Sequence, residues 1–172
     1  TETDVRVYFA RNEYVGTAGR TVEAPAVARG AMTELLAGPD GFETDIGMTT
    51  EIPEGTELLG VDIADGEATV DLSGEFQSGG GSLSMQLRVA EVVFTLTQFD
   101  TVDTVSFELD GEAVEFIGGE GIDATELVDQ LVRAGYRREY QVEHRGELAV
   151  RGSIIDVFPS TGREPLRIEL FG

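Results

Sequence analysis

The chain of 172 residues carries 33 acidic residues against 12 basic ones, and each of the basic residues is an arginine. Hydrophobic residues make up 41% of the sequence, which is enough for a packed core, and no apolar run approaches the roughly 18 residues that span a bilayer. The absence of cysteine excludes disulfides, zinc–thiolate sites and cysteine nucleophiles.

The negative charge is concentrated in the first part of the chain. Residues 1–121 contain 24 acidic residues and five arginines, a net charge of −19, whereas residues 122–172 have a net charge of −2. Nucleic acid and anionic membrane surfaces repel a domain of this charge, so we expect no direct binding to nucleic acid. Two interpretations stay open: a solvated surface from a salt-adapted proteome that prefers arginine, or an acidic face that docks a basic partner.

The first part predicts, in chain order, a strand, a helix, a hairpin, a second helix and a second hairpin. Alternation from Val5 to Ala10 predicts a half-buried strand, with Arg6, Tyr8 and Ala10 on its exposed face. Apolar residues at helical spacing then predict a helix that has Pro25 in its first turn and ends at Gly38-Pro39.

Two Asp-Gly pairs, at positions 65–66 and 110–111, predict two-residue hairpin turns. Between the hairpins, a Ser-Gly-rich loop precedes a helix over about Leu83 to Phe99, which Ser82 or Ser84 can cap. This helix is apolar on most sides and should be the buried centre of the domain. The predicted fold class is α+β, with helices packed on a mostly antiparallel sheet.

Five segments of the first part carry a recognisable pattern: VRVYFA, TELLAGP, ATVDLSGEF, GGGSLSMQLRVAEVVFTLTQF and VDTVSFELDGEAVEF. They resemble the GerMN domain, which is named for a sporulation and germination protein and also occurs in actinobacterial lipoproteins. The resemblance covers nearly all of residues 1–118. It implies a non-enzymatic, extracytoplasmic module that is usually lipid-anchored or membrane-tethered and assembles with other proteins. It does not identify the protein partner, and attachment to a membrane would require an anchor outside these residues.

The first part has few residues suited to catalysis or metal binding. The loop Gly79–Ser82 precedes a helix and could cradle an anion, but it lacks the lysine and spacing of a phosphate loop and fits a plain flexible loop. The acids from Asp62 to Asp71 lack the spacing of an EF-hand, and Asp65 has a turn role. We expect no catalytic residue, cofactor or metal. The enzymatic alternative, a hydrolase, would need two carboxylates about 5–9 Å apart in a cleft.

The composition changes at Gly118–Gly121, and residues 122–172 predict a second, small α+β segment. A helix begins at Asp123, where Glu126 completes a capping-box-like start, and ends at Gly135. We therefore divide the chain into domains 1–121 and 122–172. The strands predicted in the second domain are Glu139–Glu143, Glu147–Gly152, Ile154–Phe158 and Pro165–Phe171.

The string RGELAVRGSIIDVFP, followed by PLRIELF, is long and specific. It resembles the module shared by transcription-repair coupling factors and the excision-repair protein UvrB, and is closer to the coupling factors. The resemblance covers about residues 123–172, and the family continues past ELFG with further strands. In both families this module recruits UvrA, so UvrA is the partner that the resemblance implies.

Alternation along two of these strands, which we expect to be adjacent in the sheet, predicts an outward patch of Arg151, Arg167 and Phe171. Arginine and aromatic residues dominate binding hot spots, and the matching Arg, Arg and Phe of the coupling-factor family bind UvrA. In the alternative interpretation the two arginines pair with Glu147 and Glu169 on an ordinary surface. The residues predicted to face the core are Leu148, Val150, Leu166, Ile168 and Leu170.

The remaining polar residues of the second domain indicate no further site. His144, the one histidine of the sequence, has no second ligand or nucleophile beside it and is predicted to be a turn residue. Arg133, Arg137 and Arg138 stand next to acidic residues, so nucleic-acid binding by this segment would be weak.

The two resemblances imply different compartments: the outer side of the membrane for the first part and the cytoplasm for the second. The sequence therefore predicts a non-enzymatic protein-interaction chain with a GerMN-type scaffold and a UvrA-recruiting surface, and leaves its localisation open. A chimera, by engineered or accidental fusion, would explain the combination. Because the sequence does not begin with Met, we expect it to be a mature segment of a longer protein. The alternative is an extracytoplasmic GerMN lipoprotein domain with a passenger tail.

Overall fold

The computed structural model describes residues 1–11, 14–114, 116–117, 120–121, 135–151, 154–158 and 164–169. The predicted helix that begins at Asp123 lies outside these residues. The helices are α1 (Val27–Ala37), α2 (Gly41–Asp45) and α3 (Ser82–Leu96), and a 3₁₀ turn spans Gly74–Gln77. The strands are β1 (Glu2–Arg11), β2 (Tyr14–Glu23), β3 (Met48–Thr49), β4 (Leu58–Ala64), β5 (Glu67–Leu72), β6 (Thr104–Leu109), β7 (Glu112–Val114), β8 (Phe116–Ile117), β9 (Glu120–Gly121), β10 (Arg137–Arg138), β11 (Glu147–Arg151), β12 (Ile154–Phe158) and β13 (Leu166–Glu169).

The first sheet has the order β2-β1-β3 and is antiparallel. Its β1–β2 hairpin pairs ten residues on each strand. The sequence did not predict β2, because Gly16 and Gly19 interrupt its alternation. The prediction that Tyr8 and Ala10 are exposed is wrong: both are buried, and the Tyr8 ring stacks on Phe94 of α3 with 5.6 Å between ring centroids.

The second sheet has the order β4-β5-β6-β7 and contains the two predicted hairpins. Asp65 and Gly66 have φ of 52° and 83°, and Asp110 and Gly111 have φ of 51° and 81°, as two-residue turns with two left-handed residues require. The central pair β5–β6 is parallel, and the connection between these strands passes through α3. The mixture of helices and mostly antiparallel strands confirms the α+β class. Among the described helices, none is long and apolar enough to cross a membrane.

Helix α1 begins two residues later than its sequence predicts. Its N-cap is Ala26, so Pro25 precedes the helix and follows a cis peptide bond. The reason is that the Ala24 N–H donates to the Thr1 carbonyl, which prolongs the β-hairpin to this point. A Cβ built on Gly30 would lie 2.8 Å from Val22, so the glycine permits close packing of α1 on β2.

Helix α3 is the buried centre of the first part, as predicted. Its residues from Met85 to Leu96 are all buried. The predicted serine cap is wrong, because the N-cap residue is Gly81, which has no side chain to cap the helix. The hydroxyl of Ser84 instead donates to Glu51 at 2.8 Å and accepts from Arg88 at 2.7 Å.

The polar side chains at the end of α3 bind the backbone of β1. The Tyr8 N–H donates to the Thr95 hydroxyl at 3.3 Å, and the Arg6 N–H donates to the Gln98 Oε1 at 2.8 Å. Gln98 Nε2 in turn donates to the Arg6 carbonyl at 2.6 Å. These bonds occupy backbone groups of β1 along the part of the strand that β3 does not reach, since β3 pairs with Ala10 and Arg11.

Glu91 is a fully buried carboxyl group on α3. Its Oε1 accepts from the Thr50 hydroxyl and its Oε2 from the Glu51 N–H, both at 2.9 Å, which holds the segment after β3 against the helix. Burial raises the pKa of Glu91 to about 8, against the lowering effect of these two hydrogen bonds, and the nearby Glu51 carboxylate raises it further. At neutral pH the neutral form of the carboxyl group is favoured.

We expect Glu91→Gln to change how the stability of the chain depends on pH. The folded pKa lies above the unfolded value, so the stability contributed by Glu91 is complete below about pH 4.5 and is lost as the pH rises through about 8. Relative to the variant, the wild-type free energy of unfolding should fall by up to about 1.4 kcal/mol per pH unit in this window. Urea unfolding of both proteins at pH 5.5 and 8.5 measures this difference, and a constant offset between them would contradict the assignment.

Candidate interaction surface

The C-terminal strands form one sheet in the order β10-β11-β12-β13. Strands β11, β12 and β13 are antiparallel neighbours, and β10 is parallel to β11. Leu148, Ile155 and Val157 are buried and belong to the same hydrophobic cluster as the residues of α3 and the β4–β7 sheet. The predicted core face of β11 is confirmed by Leu148, and Val150 packs against the same cluster.

Arg167 lies on β13 and its side chain is 51% exposed. Its Nε donates to Asp156 Oδ1 at 2.7 Å and its Nη2 to Asp156 Oδ2 at 3.0 Å, a two-bond pair between neighbouring strands. Asp156 stands directly opposite Arg167 in the β12–β13 register. Asp156 is thus a carboxylate partner of Arg167 that the alternative interpretation did not name.

Arg151 and Phe171 are the other two residues of the predicted patch. Arg151 lies on β11 with its backbone in register with Ile154 of β12, and Ile154 pairs with Glu169 of β13. The two arginines are therefore on strands separated by β12, and the expectation of adjacent strands is wrong, because the chain order of the strands is also their order in the sheet. Phe171 and the side chain of Arg151 lie outside the described residues.

The segment before β11 is a turn, where the sequence predicted a strand at Glu139–Glu143. The reason is Glu147, which was expected on the outer surface but is buried. Its Oε2 accepts from the N–H groups of Glu143 and His144 at 2.9 and 2.8 Å, and its Oε1 accepts from Arg137 at 3.1 Å. Hydrogen bonds from these two N–H groups hold the pKa of Glu147 below its ordinary value. The prediction that His144 is a turn residue is confirmed.

The Gly-rich loop before α3 begins beside the guanidinium of Arg88, a residue that is 2% exposed. Arg88 donates to the carbonyls of Phe76, Ser78 and Gly79 at 2.8, 2.9 and 3.2 Å. Because carbonyl oxygens point into the loop, it holds a cation of the protein itself, and an anion would meet oxygen atoms there.

Two acids of the first part accept hydrogen bonds from backbone N–H groups. Asp71 accepts from the Gly111 N–H at 3.0 Å, and Asp110 accepts from the Gly74 N–H at 3.1 Å. These bonds tie the second hairpin turn to the chain at the end of β5.

Sequence reasoning missed a buried ion pair between β2 and α2. Arg20 donates to both carboxylate oxygens of Glu43 at 2.6 and 2.7 Å, approaches Glu34 at 3.3 Å, and lies over the Phe9 ring. The hydrogen bond from Arg20 lowers the pKa of Glu43. No sequence signal pairs residues 23 positions apart. An open cavity of about 700 Å³ lies beside this pair, lined by Asp4, Val5, Arg6, Gly19, Arg20, Thr21, Asp40 and Gln98.

Comparison with known proteins separates the chain into two matched regions. Residues 6–115 match the family Germane, described as "Sporulation and spore germination". The chain belongs to this family. Residues 114–172 match the UvrB interaction domain. Both matched families are non-catalytic domain types, and together they support a protein-interaction scaffold.

Individual relatives agree with these two regions of the Germane-family chain. The transcription-repair-coupling factor of Staphylococcus aureus is 55% identical over 53 residues, which are 31% of this chain and 4% of that protein. The chain thus spans a small part of the curated relatives that it matches. The first GerMN domain of the sporulation protein GerM from Bacillus subtilis is 24% identical, with a TM-score of 0.52 over 69% of this chain and 91% of that one.

A second structural comparison covers more of the Germane-family chain. The tandem GerMN domains of the same Bacillus subtilis protein give a TM-score of 0.55 at 20% identity, over 96% of this chain and 59% of that one. At these identities the two structural similarities show the fold.

We expect Gly80→Ala to destabilise this Germane-family chain more than Gly79→Ala. Both glycines have positive φ, of 77° and 62°, so both substitutions carry the left-handed cost of about 1–2 kcal/mol. A Cβ on Gly80 would in addition lie 2.6 Å from the Ser84 hydroxyl and 2.7 Å from Arg88 Nη2, whereas one on Gly79 meets nothing within 4 Å.

Hydrogen bonds hold both contacted groups in place, so they cannot move away without loss. The difference between the two variants should be at least about 1.5 kcal/mol, the lower end of the contribution of a hydrogen bond to a charged group. Urea unfolding at one pH measures it. Equal destabilisation of the two variants would show that the loop does not hold Arg88 in solution.

Proposed function

We propose that this chain is a non-enzymatic protein-interaction chain in which a GerMN-type scaffold carries a surface that recruits UvrA. The match of residues 114–172 to the UvrB interaction domain is the observation that carries this proposal. The coupling-factor similarity supports the same partner. A partner protein for the GerMN scaffold is also part of the proposal, and its identity is open. The acid excess of residues 1–121 favours a basic partner there.

We also propose that the two parts, residues 1–121 and 122–172, are separate domains. All of β1 to β9 and α1 to α3 lie within the first part, and most of the hydrophobic cluster comes from it. A fragment that ends at Gly121 should therefore unfold cooperatively. Its melting temperature should be lower than that of the full chain, because Leu148, Ile155 and Val157 no longer cover their neighbours. Thermal unfolding followed by circular dichroism tests this, and a broad, non-cooperative transition would place the domain boundary elsewhere.

The UvrA-binding surface that we propose consists of Arg151, Arg167 and Phe171. Arg167 supports this assignment, because its side chain is half exposed on β13. The neighbouring strand β12 packs the opposite face of the sheet into the core through Ile155 and Val157. An exposed guanidinium that is already oriented is suited to recognise a carboxylate or a backbone carbonyl of a partner. Arginine and aromatic side chains of this kind supply most of the binding free energy in many interfaces.

We expect Arg151→Ala, Arg167→Ala and Phe171→Ala each to weaken UvrA binding, by roughly thirtyfold for a hot-spot residue. Titration of UvrA against the full chain and each variant measures the dissociation constants. Arg145→Ala is the matched control, because Arg145 is an exposed arginine of the same segment, in the turn before β11, and lies outside the proposed surface. It should bind as the wild type does.

Two outcomes would contradict the proposal in different ways. If the full chain binds UvrA and the three variants bind equally well, the surface is assigned to the wrong residues. If the full chain does not bind, the function reduces to that of a GerMN domain with a passenger tail. Ile155→Ala serves as the folding control. Truncation of this fully buried side chain should lower the free energy of unfolding by about 2–5 kcal/mol.

A further inference from the structure

Asp156 and Arg167 form a closely matched pair on the C-terminal sheet. Both carboxylate oxygens of Asp156 accept hydrogen bonds from Arg167, at 2.7 and 3.0 Å. The side chain of Asp156 is 19% exposed, whereas that of Arg167 is 51% exposed. The carboxylate is therefore the recessed member of the pair, and half of the arginine surface stays accessible to a partner.

The position of Asp156 in the sheet explains this arrangement. It lies on β12, directly opposite Ala149 of β11 on one side and Arg167 of β13 on the other. Residues directly opposite each other in an antiparallel sheet project from the same face. Ala149 has a short side chain and is itself buried, so the group across from Arg167 within this row is the Asp156 carboxylate.

The consequence for binding follows from the flexibility of arginine. A solvated arginine samples many rotamers, and a partner that fixes it must overcome that loss of freedom. The two parallel hydrogen bonds from Asp156 fix the plane of the guanidinium as well as its position. Part of the ordering is thus completed before any partner arrives.

We infer that Asp156 is a positioning residue for the UvrA-binding surface, which holds Arg167 in the orientation that the partner recognises. This inference rests on the proposed function. Asp156 does not itself need to touch UvrA. Its effect on binding must therefore pass through Arg167, and this requirement separates a positioning role from a direct contact or a general effect on the fold.

The test is a double-mutant cycle on the full chain, with UvrA titrated against wild type, Asp156→Ala, Arg167→Ala and the double variant. Asp156→Ala should weaken binding by about 2- to 10-fold, the range that corresponds to ordering one flexible side chain. In the Arg167→Ala background the same substitution should have no further effect. Asp156→Asn, which keeps one acceptor oxygen for Arg167, should fall between wild type and Asp156→Ala.

Glu139→Gln is the control for charge, because Glu139 is an exposed acid beside β11 in the same sheet, bonded through its backbone to Leu148. It removes one negative charge as Asp156→Asn does, and it should leave binding unchanged. Circular dichroism of each variant checks folding. If Asp156 only stabilised the fold, Asp156→Ala would weaken binding to the same extent whether or not Arg167 is present.

The outcomes distinguish this inference from the proposed function. If Arg167→Ala weakens binding and Asp156→Ala does not, or strengthens it, the positioning role is wrong and the binding surface stands. Equal losses from Asp156→Ala in both backgrounds would also overturn the positioning role. If Arg167→Ala binds as the wild type does, the proposed surface itself fails.

Discussion

The structure depends on one constraint: α3 is buried, yet it carries charged and polar side chains that must find partners away from water. A buried polar group without a partner costs more than a hydrogen bond contributes. Three of these groups bind the backbone of neighbouring segments. Arg88 binds the loop before the helix, Glu91 binds the segment after β3, and Thr95 binds β1. The helix thus determines where three otherwise unrelated segments lie, and the β2-β1-β3 and β4-β5-β6-β7 sheets assemble around it.

The same principle governs the arginines of a chain that has few cations. Arg20 is bound by Glu43, Arg137 by Glu147 and Arg167 by Asp156. The first of these pairs is nearly buried and joins β2 to α2, whereas Arg167 remains half exposed. Exposure rather than charge therefore separates an arginine that stabilises the fold from one that is available to a partner.

The two matched families meet in one continuous hydrophobic cluster. Leu148, Ile155 and Val157 come from the region that matches the UvrB interaction domain, and they share this cluster with the residues of the Germane region. A surface on the opposite face of that sheet would then be held by a scaffold far larger than the sheet itself. Recruitment of UvrA by this surface requires that the chain be exposed to the compartment that contains UvrA, whichever compartment the GerMN scaffold occupies elsewhere.

The sequence by itself determined the elements whose signals are local. The Asp-Gly turns, the apolar helix α3 and the inward face of β11 at Leu148 and Val150 follow from neighbouring residues, because turn geometry and side-chain periodicity act over a few positions. The tertiary structure alone decided which strands are neighbours and which charges meet. That Arg167 pairs with Asp156, and that Glu147 turns inward, depends on strand register and on burial. No local pattern encodes these, since the partners are brought together by the packing of the whole chain.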